Sequence, residues 1–444
     1  MTVRTGIRCA FGAFGFFVAV TAAAPAEAQL AGSPNLRDLL TDFLRTGIVL
    51  APPQEGVDHS AHFIAQGSSQ FDALEKLSGS LAREISRVPL SSSAGGFAFE
   101  IDPALGIPVR PTESFGPVYA ERPYTVGEGK FNLGVSHSRF TFDSIDDINL
   151  REGEVELLFS HQDVGVEGEL DVLAEGDVIR AALFLKLDTQ ITNFVGTYGV
   201  APNLDLGLVV PVIDIDVEYS AAAEIDRLST INEPSTHEFP DGGITQNLSR
   251  SGQASGLGDV LLRAKYRFSD RENIQFAGVA DIRFPTGDEL DLLGTGEWSG
   301  RAAFIASLNN PAVSPHLNLG YAQTGGEDGS GEVDYVFGVD WAVDPKLTVA
   351  VDFLGRSVLS TTRASLASTD HRYLDPDDQT FIRETSFSVL TEESDYTRNT
   401  LDASIGFKIN VFGNFLVTTN GLLPLSSGGL RDDFTGLLGF DYSF

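Results

Sequence analysis

Charged side chains recur at alternate positions in residues 258–268. In an extended strand Asp259, Arg263, Lys265 and Arg267 share one side, and the residues between them form an apolar side. Such charges bind or orient polar solutes through ion pairs and hydrogen bonds. Because an Arg or Lys facing hydrocarbon costs roughly 2 to 4 kcal/mol at the centre of a bilayer, the charged side predicts an aqueous interior and the apolar side predicts contact with lipid.

The same division appears in other segments of the chain. Asp281 and Arg283 oppose an apolar side that includes Ile282, and Asp352 and Arg356 oppose another. Two interpretations stay open and are compatible: the charges brace a wall through salt bridges, or they create a pore field that binds solutes. The candidate pore-lining residues are Lys186, Asp188, Asp259, Arg263, Lys265, Arg267, Asp281, Arg283, Arg301, Asp334, Asp340, Asp352, Arg356, Asp402 and Lys408.

Catalytic and metal-binding patterns are weak in comparison. His137 lies between Ser136 and Ser138, but neighbouring strand residues point to opposite faces, so no local dyad forms. The pair His59 and His62 has no third strong ligand nearby in sequence, and is better explained as solvated surface. We therefore predict no enzyme, no metal site and no cofactor.

The acidic run 375–378 also has a simpler explanation than a cation site. Carboxylates in a loop can hold a divalent cation, but Pro376 interrupts the regular ligand pattern, which favours a solvated loop. Cys9 is the single cysteine of the chain, and it lies in the segment that we expect to be removed. A mature protein without cysteine has neither disulfides nor thiolate ligands.

The elements that position the charges are predicted to be strands. Residues 432–444 alternate up to a terminal aromatic residue, with Leu438, Phe440, Tyr442 and Phe444 on one face. An ending of this kind resembles the closing strand of bacterial outer-membrane barrels. A first strand runs over 131–142, where Phe131 and later odd-numbered residues share the apolar face.

Five strand pairs joined by short turns lie between these two strands. They cover residues 179–199 with 204–220, 256–268 with 274–284, 297–308 with 316–323, 333–343 with 347–359, and 400–411 with 415–423. The sequence thus predicts an all-β transmembrane antiparallel barrel of about twelve strands, or fourteen if 155–159 and 170–173 form a further hairpin. Long loops are expected at 221–255 and 360–399. Aromatic residues near the short turns predict an interfacial girdle: Tyr266, Phe268, Trp341, Phe415, Tyr442 and Phe444.

The N-terminal part has a different character. Arg4 and Arg8, an apolar run over 11–20 and the sequence Ala26-Glu27-Ala28 predict a signal peptide at 1–28. Residues 29–123 form a helical and irregular segment, with helices expected over about 36–50 and 70–88, that is a plug or a periplasmic element. The barrel follows over 124–444. The net charge of −32 makes nucleic acid a poor partner.

Several motifs resemble one known family. They are GLGDV at 256–260, AKYRF at 264–268, RFPTGDE at 283–289, LGTG at 293–296, TYGV at 197–200, LDLG at 204–207, HLNLGY at 316–321 and DFLGR at 352–356. Together they resemble the outer-membrane transporters grouped as the MetA pathway of phenol degradation, over about residues 95–444. In physical terms the RFPTGDE motif ends a strand and turns the chain at the rim.

The resemblance implies a bacterial outer-membrane channel for passive passage of small solutes, hydrophobic or aromatic ones among them. The alternative is a non-conducting structural or surface-binding barrel whose acidic loops bind cations. The expected partners are outer-membrane lipid and lipopolysaccharide, a small-molecule solute, and the barrel-assembly machinery through Phe444.

Overall fold

The structure is a computed structural model that describes residues 35–51, 63, 69–93, 96–101, 108–110, 112–161, 176–231, 237–270, 273–308, 310, 312–326, 329–378 and 380–444. The predicted signal peptide, His59 and His62, and the second half of the additional hairpin lie outside the described residues.

Two helices precede the sheet, close to their predicted positions. Helix α1 spans Leu36–Gly47 and α2 spans Ser69–Ser86. Asn35 begins α1, because its side-chain oxygen accepts the Asp38 N–H at 2.8 Å and so satisfies one unpaired donor of the first turn. Within the described part of the chain, no helix combines the length and the apolar character needed to cross a membrane.

The strands make up most of the described chain. They are β1 Glu100–Ile101, β2 Pro108–Val109, β3 Phe131–Phe142, β4 Ser144–Ile145, β5 Ile148–Asn149, β6 Val155–Ser160, β7 Val178–Ala201, β8 Leu204–Asp226, β9 Thr245–Leu257, β10 Leu261–Asp270, β11 Ile274–Arg283, β12 Ser299–Leu308, β13 Val313–Thr324, β14 Gly331–Asp344, β15 Leu347–Leu374, β16 Ile382–Phe412, β17 Phe415–Pro424, β18 Leu430–Arg431 and β19 Thr435–Ser443.

Twelve antiparallel strands close into a barrel. The order is β7-β3-β19-β17-β16-β15-β14-β13-β12-β11-β10-β8, and the pairing of β7 with β8 closes the ring. The last residue, Phe444, exchanges two backbone hydrogen bonds of 2.9 Å with Phe131, which joins the two ends of the barrel domain. The prediction of an all-β barrel with about twelve strands is confirmed. Two further strands, β6 and β9, extend the edges of β7 and β8.

Two hairpins are much longer than a membrane crossing requires. Strands β7 and β8 have 24 and 23 residues, and β15 and β16 have 28 and 31. A tilted strand crosses a bilayer with about 9 to 11 residues. The surplus lies at the end of the barrel opposite the short turns, which we call the long-hairpin end; the other is the short-turn end. The long loops predicted at 221–255 and 360–399 are therefore wrong in part, because both segments consist largely of strand.

The outer surface shows where the apolar band ends. On β8 the outward side chains are apolar at Leu206 and Leu208, which are 49% and 42% exposed, and acidic at Asp214, Asp216 and Glu218. Large apolar side chains that are this exposed are stable in contact with lipid rather than with water. The change of character places the edge of the lipid-facing band between residues 208 and 214 of this strand.

The inner surface changes in the opposite sense. Beyond the band, inward residues of β8 such as Ile215 and Val217 are buried against a core that includes Leu40 of α1 and Leu74 and Leu81 of α2. At this end the water is outside the barrel and the apolar core is inside it. Toward the short-turn end, where the wall faces lipid, the interior of the barrel is polar.

Because of this reversal, the prediction that Lys186 and Asp188 face the lumen is wrong. Lys186 and Asp188 lie on the outer side of β7, with the Lys186 side chain 55% exposed and its Nζ 3.5 Å from Asp188 Oδ2. The prediction assumed that charges always face inward, which holds only inside the lipid band. Arg139 of β3 joins them outside, 3.8 Å from Asp188.

Aromatic side chains gather at the short-turn end. Phe131 contacts Tyr198 and Phe444, with ring centroids 4.4 and 5.7 Å apart, and Tyr442 lies 5.9 Å from Phe444. Trp341 is half exposed near the turn between β14 and β15. A belt of aromatic side chains at one edge of the apolar band is typical of an interfacial girdle.

Candidate functional site

The N-terminal segment runs through the interior of the barrel. After α2, the Ser93 carbonyl accepts the Thr197 hydroxyl at 2.8 Å, and the segment reaches the short-turn end, where Thr125 donates to the Pro202 carbonyl at 2.8 Å. The backbone N–H of Val126 donates to Asp205 of β8. Residues 112–127 therefore lie inside the wall before the chain enters β3, and we call them the lumen segment.

Glu121 is the main polar link between the lumen segment and the wall. Its carboxylate lies 2.8 Å from Arg263 Nη1 and 3.3 Å from Lys265 Nζ, and it accepts the N–H and hydroxyl of Ser93. The Asn318 side chain exchanges two hydrogen bonds with the Glu121 backbone, at 2.7 and 2.9 Å. We call these five residues the Glu121 cluster: Ser93, Glu121, Arg263, Lys265 and Asn318.

A charge ladder continues from this cluster around the wall. Arg263 binds Asp281 with both Nε and Nη2, at 2.8 and 2.9 Å. Arg301 lies 3.2 Å from Asp281 and binds Asp334 with two further contacts of 2.8 and 2.6 Å. The last pair crosses over β13 at Gly320, where a Cβ would lie 2.4 Å from Asp334 and 2.9 Å from Arg301. The glycine leaves the space that this bridge needs.

A second cluster holds the end of α2. Glu84 contacts Arg356 of β15 and Arg398 of β16, and Arg87 reaches both Glu84 and Glu332, at 3.4 and 3.3 Å. We call these five residues the Glu84 cluster. Arg398 also binds Asp146 with two contacts, which links the cluster to the turn between β4 and β5.

Glu84 and Glu121, the acidic residues at the centres of these two clusters, are strongly stabilised in the charged form. Burial alone would raise the pKa of Glu84, but Arg356, Arg87 and Arg398 outweigh it and lower this pKa to about 2. Burial likewise opposes ionisation of Glu121, and Lys265, Arg263 and the Ser93 hydrogen bonds lower its pKa to about 2. Each carboxylate thus forms a charged link between the N-terminal segment and the wall, in addition to the apolar packing of α1 and α2.

A third polar cluster, centred on a histidine, lies between the wall and the lumen segment. His316 of β13 lies 2.7 Å from Asp352 and 3.3 Å from Asp340, and all three side chains are buried. Asp340 also accepts the Ser114 hydroxyl, while the Phe115 N–H donates to Thr348 at 2.8 Å. These contacts fix the first half of the lumen segment.

Asp259 organises the loop between β11 and β12. It accepts the N–H of Gly287 at 3.1 Å and both the N–H and hydroxyl of Thr295 at 2.9 Å. A Cβ on Gly287 would lie 2.4 Å from the Leu293 carbonyl, and one on Gly294 would lie 2.5 Å from Asp259. The GLGDV, RFPTGDE and LGTG motifs therefore meet at one tightly packed turn.

A cavity of about 290 Å³ lies between the N-terminal segment and the wall. Its volume is close to the lower limit of about 300 to 1,000 Å³ for small-molecule sites. Charged groups from both clusters and from the ladder border it, together with apolar side chains. The apolar residues include Val88, Leu90, Leu261, Val336, Leu354 and Leu422.

The predicted site residues fall into several groups. Those bordering the cavity are Arg263, Asp281, Arg283, Arg301, Asp334, Arg356 and Asp402. Lys265, Asp340, Asp352 and Lys408 point inward but are buried beside the lumen segment, with Lys408 Nζ 3.5 Å from the Phe115 carbonyl. Asp259 holds the loop described above, and Arg267 donates to Pro202 at the short-turn end. Lys186 and Asp188 lie outside the barrel.

The sequence did not reveal the partners of these residues. Glu84 and Glu121 come from the N-terminal segment, where no strand alternation indicates which side chains face the wall. His316 was noticed only as part of a motif. The signal that could have found the acidic pair is the excess of inward arginines on β10, β12 and β15, since buried guanidinium groups need carboxylate partners.

The weaker chemical patterns do not assemble into sites. His137 lies on the outer face, 3.0 Å from Thr192 Oγ1, while Ser136 and Ser138 are buried inside. Among the residues that the structure describes, no group of three or more His, Cys, Asp or Glu side chains could hold a metal ion. Asp375 accepts the N–H groups of Asp377 and Asp378 within a turn.

Comparisons with known proteins concern both sequence and fold. The chain is similar to the COG4313 outer membrane channel from Pseudomonas putida F1, with 12% identity, a TM-score of 0.43, and coverage of 72% of this chain and 97% of that one. It is also similar to the toluene transporter TbuX of Ralstonia pickettii (10%, TM-score 0.27, 72% and 90%) and to a FadL homologue of Pseudomonas aeruginosa (10%, TM-score 0.30, 80% and 97%).

No curated protein matches the chain. The family model described as "Putative MetA-pathway of phenol degradation" matches residues 171–362. Every motif that carried the resemblance lies within this range. The resemblance of this chain to the family described as the MetA pathway of phenol degradation is therefore confirmed over residues 171–362.

Proposed function

We propose that this protein is a channel for the passive passage of small solutes, hydrophobic or aromatic ones included, across a bacterial outer membrane. The observation that carries the proposal is the cavity between the barrel wall and the N-terminal segment. The lipid-facing band and the aromatic girdle support a membrane location. The phenol-degradation description of the matching family supports aromatic solutes.

Passage through this lumen requires the lumen segment to move. Two small apolar clusters pack Phe115, Val118 and Tyr119 against the wall. The other contacts are ion pairs and hydrogen bonds centred on Glu121 and Ser114, and water entering the lumen can replace these polar contacts more readily than it can replace close apolar packing. A shift of residues 112–127 away from the wall would enlarge the cavity toward the short-turn end.

A cysteine pair can test this movement. A Cβ added to Gly406 of β16 would lie 2.5 Å from Val118 Cγ2 in the lumen segment, so the pair Val118→Cys and Gly406→Cys has the close approach that a disulfide needs. Replacing Val118 also removes the methyl group that would collide. Because Cys9 lies in the predicted signal peptide, this would be the sole cysteine pair of the mature chain.

The experiment compares solute entry into liposomes that contain the double variant. We expect benzyl alcohol and small sugars to enter when the disulfide is reduced, and several-fold slower entry when it is oxidised. Each single-cysteine variant is the matched control and should not respond to oxidation. Equal flux in both redox states would contradict movement of this segment, and absence of flux in wild type and reduced variant would contradict a channel.

The alternative, a non-conducting barrel, is favoured by one observation. The long-hairpin end is filled by an apolar core that includes Phe43 and Leu44 of α1 and Leu77 of α2. A barrel closed in this way could serve as a surface-binding protein, and the liposome measurement separates the two functions. Contact with lipopolysaccharide and recognition of Phe444 by the barrel-assembly machinery stay predictions made from the sequence.

A further inference from the structure

The arginines that border the cavity differ in their partners. Arg263, Arg301, Arg356 and Arg431 each lie within 3.2 Å of a carboxylate oxygen. Arg283 is different: within the described part of the chain it has no carboxylate within 4.0 Å. Its one hydrogen bond to a described residue runs from Nη1 to the Ser86 carbonyl, at 2.7 Å.

The carboxylates nearest to Arg283 are engaged with other groups. Asp259 holds the N–H groups of Gly287 and Thr295. Asp281 accepts hydrogen bonds from both Arg263 and Arg301, and Glu332 forms an ion pair of 3.3 Å with Arg87. Among the described residues, none of these carboxylates lies within 4.0 Å of the Arg283 guanidinium, and the donors not bound to Ser86 are left beside the cavity.

Arg283 is half-buried beside the cavity, and Asp259, Asp281 and Glu332 supply counter-charge at longer range without bonding to it. The planar guanidinium carries five donors in a fork that matches a carboxylate. The bond to Ser86 fixes its position at the end of α2, where a cation also interacts well with the helix dipole. Its remaining donors are therefore held in place for an anion that enters the cavity.

Apolar surface lies next to this group. Val88, Leu90 and Leu261 border the main cavity together with Arg283. The same four residues also border an adjoining cleft of about 20 Å³, whose wall includes Val209 and Ile213. A ligand with one carboxylate and a compact apolar body would satisfy both the guanidinium and this surface.

We propose that Arg283 anchors the carboxylate of a small organic anion of the benzoate type, with the apolar body against Val88, Leu90 and Leu261. This inference deepens the proposed channel function and rests on it for its biological role. Benzoate and its neutral isostere benzamide are suitable probes, because they share an apolar ring and differ in charge.

The first measurement is calorimetric binding to the full chain in detergent. We expect wild type to bind benzoate at least tenfold more tightly than benzamide. Arg283→Gln should lose this preference, and Arg283→Lys, which keeps the charge without the fork, should retain part of it. The matched control is Arg139→Gln, whose side chain is 65% exposed on the outer face, and it should bind benzoate as wild type does.

The outcomes distinguish an anchor from a structural role. If Arg283 only caps α2, both probes bind equally to wild type, and substitution changes stability alone; this result overturns the proposal. Equal benzoate binding by wild type and Arg283→Gln overturns it as well.

Liposome entry of the two probes then separates the two proposals. Entry of benzamide without preferential benzoate binding retains the channel and rejects the anion site. Preferential binding without entry of either probe supports the anion site and rejects the channel. Correct folding of Arg283→Gln is checked by its heat-modifiable migration on gels.

Discussion

Glu121 of the lumen segment and Arg263 of the barrel wall form an ion pair of 2.8 Å, with side chains that are 7% and 10% exposed. The pair joins a segment without regular structure to the charge ladder of β10, β11 and β12. Arg263 keeps a second carboxylate, Asp281, so the guanidinium stays paired even if the segment moves away. Arg263 therefore has a carboxylate partner within the wall, whereas the cationic partners that the structure describes for Glu121 all lie on the wall.

The first prediction concerns this pair. Glu121→Gln removes the charge that binds Arg263 and Lys265, and we expect it to weaken attachment of the lumen segment by about 3 kcal/mol, as for loss of one partner in a buried pair. Faster solute entry into liposomes and a lower unfolding midpoint in detergent should follow. Glu128→Gln, at an exposed position directly after the lumen segment, is the control. Unchanged flux and stability in Glu121→Gln would show that other contacts hold the segment.

The second prediction concerns pH. Glu84 and Glu121 have pKa values of about 2 in the folded protein, against an ordinary value of 4.5. Both pKa values are lowered, so their stabilisation is complete above about pH 4.5 and is lost as the pH falls toward 2.

The measurement is the thermal unfolding midpoint between pH 7 and pH 2. We expect a fall below pH 4.5 in wild type and a smaller fall in the double variant Glu84→Gln and Glu121→Gln. If both proteins lose the same number of degrees, other carboxylates govern the acid response.

The third prediction concerns the glycine beneath the charge ladder. Gly320→Val places side-chain atoms where Arg301 and Asp334 meet, and overpacking of this kind costs about 1 to 3 kcal/mol. Gly300→Val on β12 is the matched control, because a Cβ there meets no atom within 4 Å. Urea unfolding in detergent micelles should separate the two variants. Equal stability would mean that the Arg301–Asp334 bridge can shift without cost.

The barrel could be predicted from the sequence because lipid imposes a simple rule on alternate residues. Where a strand crosses the band, as β10 does, every second residue is apolar, and the charged set must face inward. The rule fails beyond the band. There Lys186 and Asp188 face water outside the barrel, and apolar residues such as Ile215 face the helices inside.

The partners within the lumen could not be predicted for a different reason. Contacts such as Glu84 with Arg398 join residues more than 300 positions apart, and no local period indicates them. His316 belongs to the apolar-looking motif HLNLGY, yet it lies between two buried aspartates supplied by β14 and β15. These contacts become apparent only when the strands are placed around a common interior.

The last prediction tests the position of the lipid band on β8. Leu208 lies within the proposed band and Asp216 beyond it, and both point outward on the same strand. Leu208→Arg should destabilise the barrel by roughly 2 to 4 kcal/mol if it lies near the centre of the bilayer, whereas Asp216→Arg should change stability little. Reversible urea unfolding in phospholipid vesicles measures both. Equal effects of the two substitutions would contradict the boundary between residues 208 and 214, and with it the explanation given for Lys186 and Asp188.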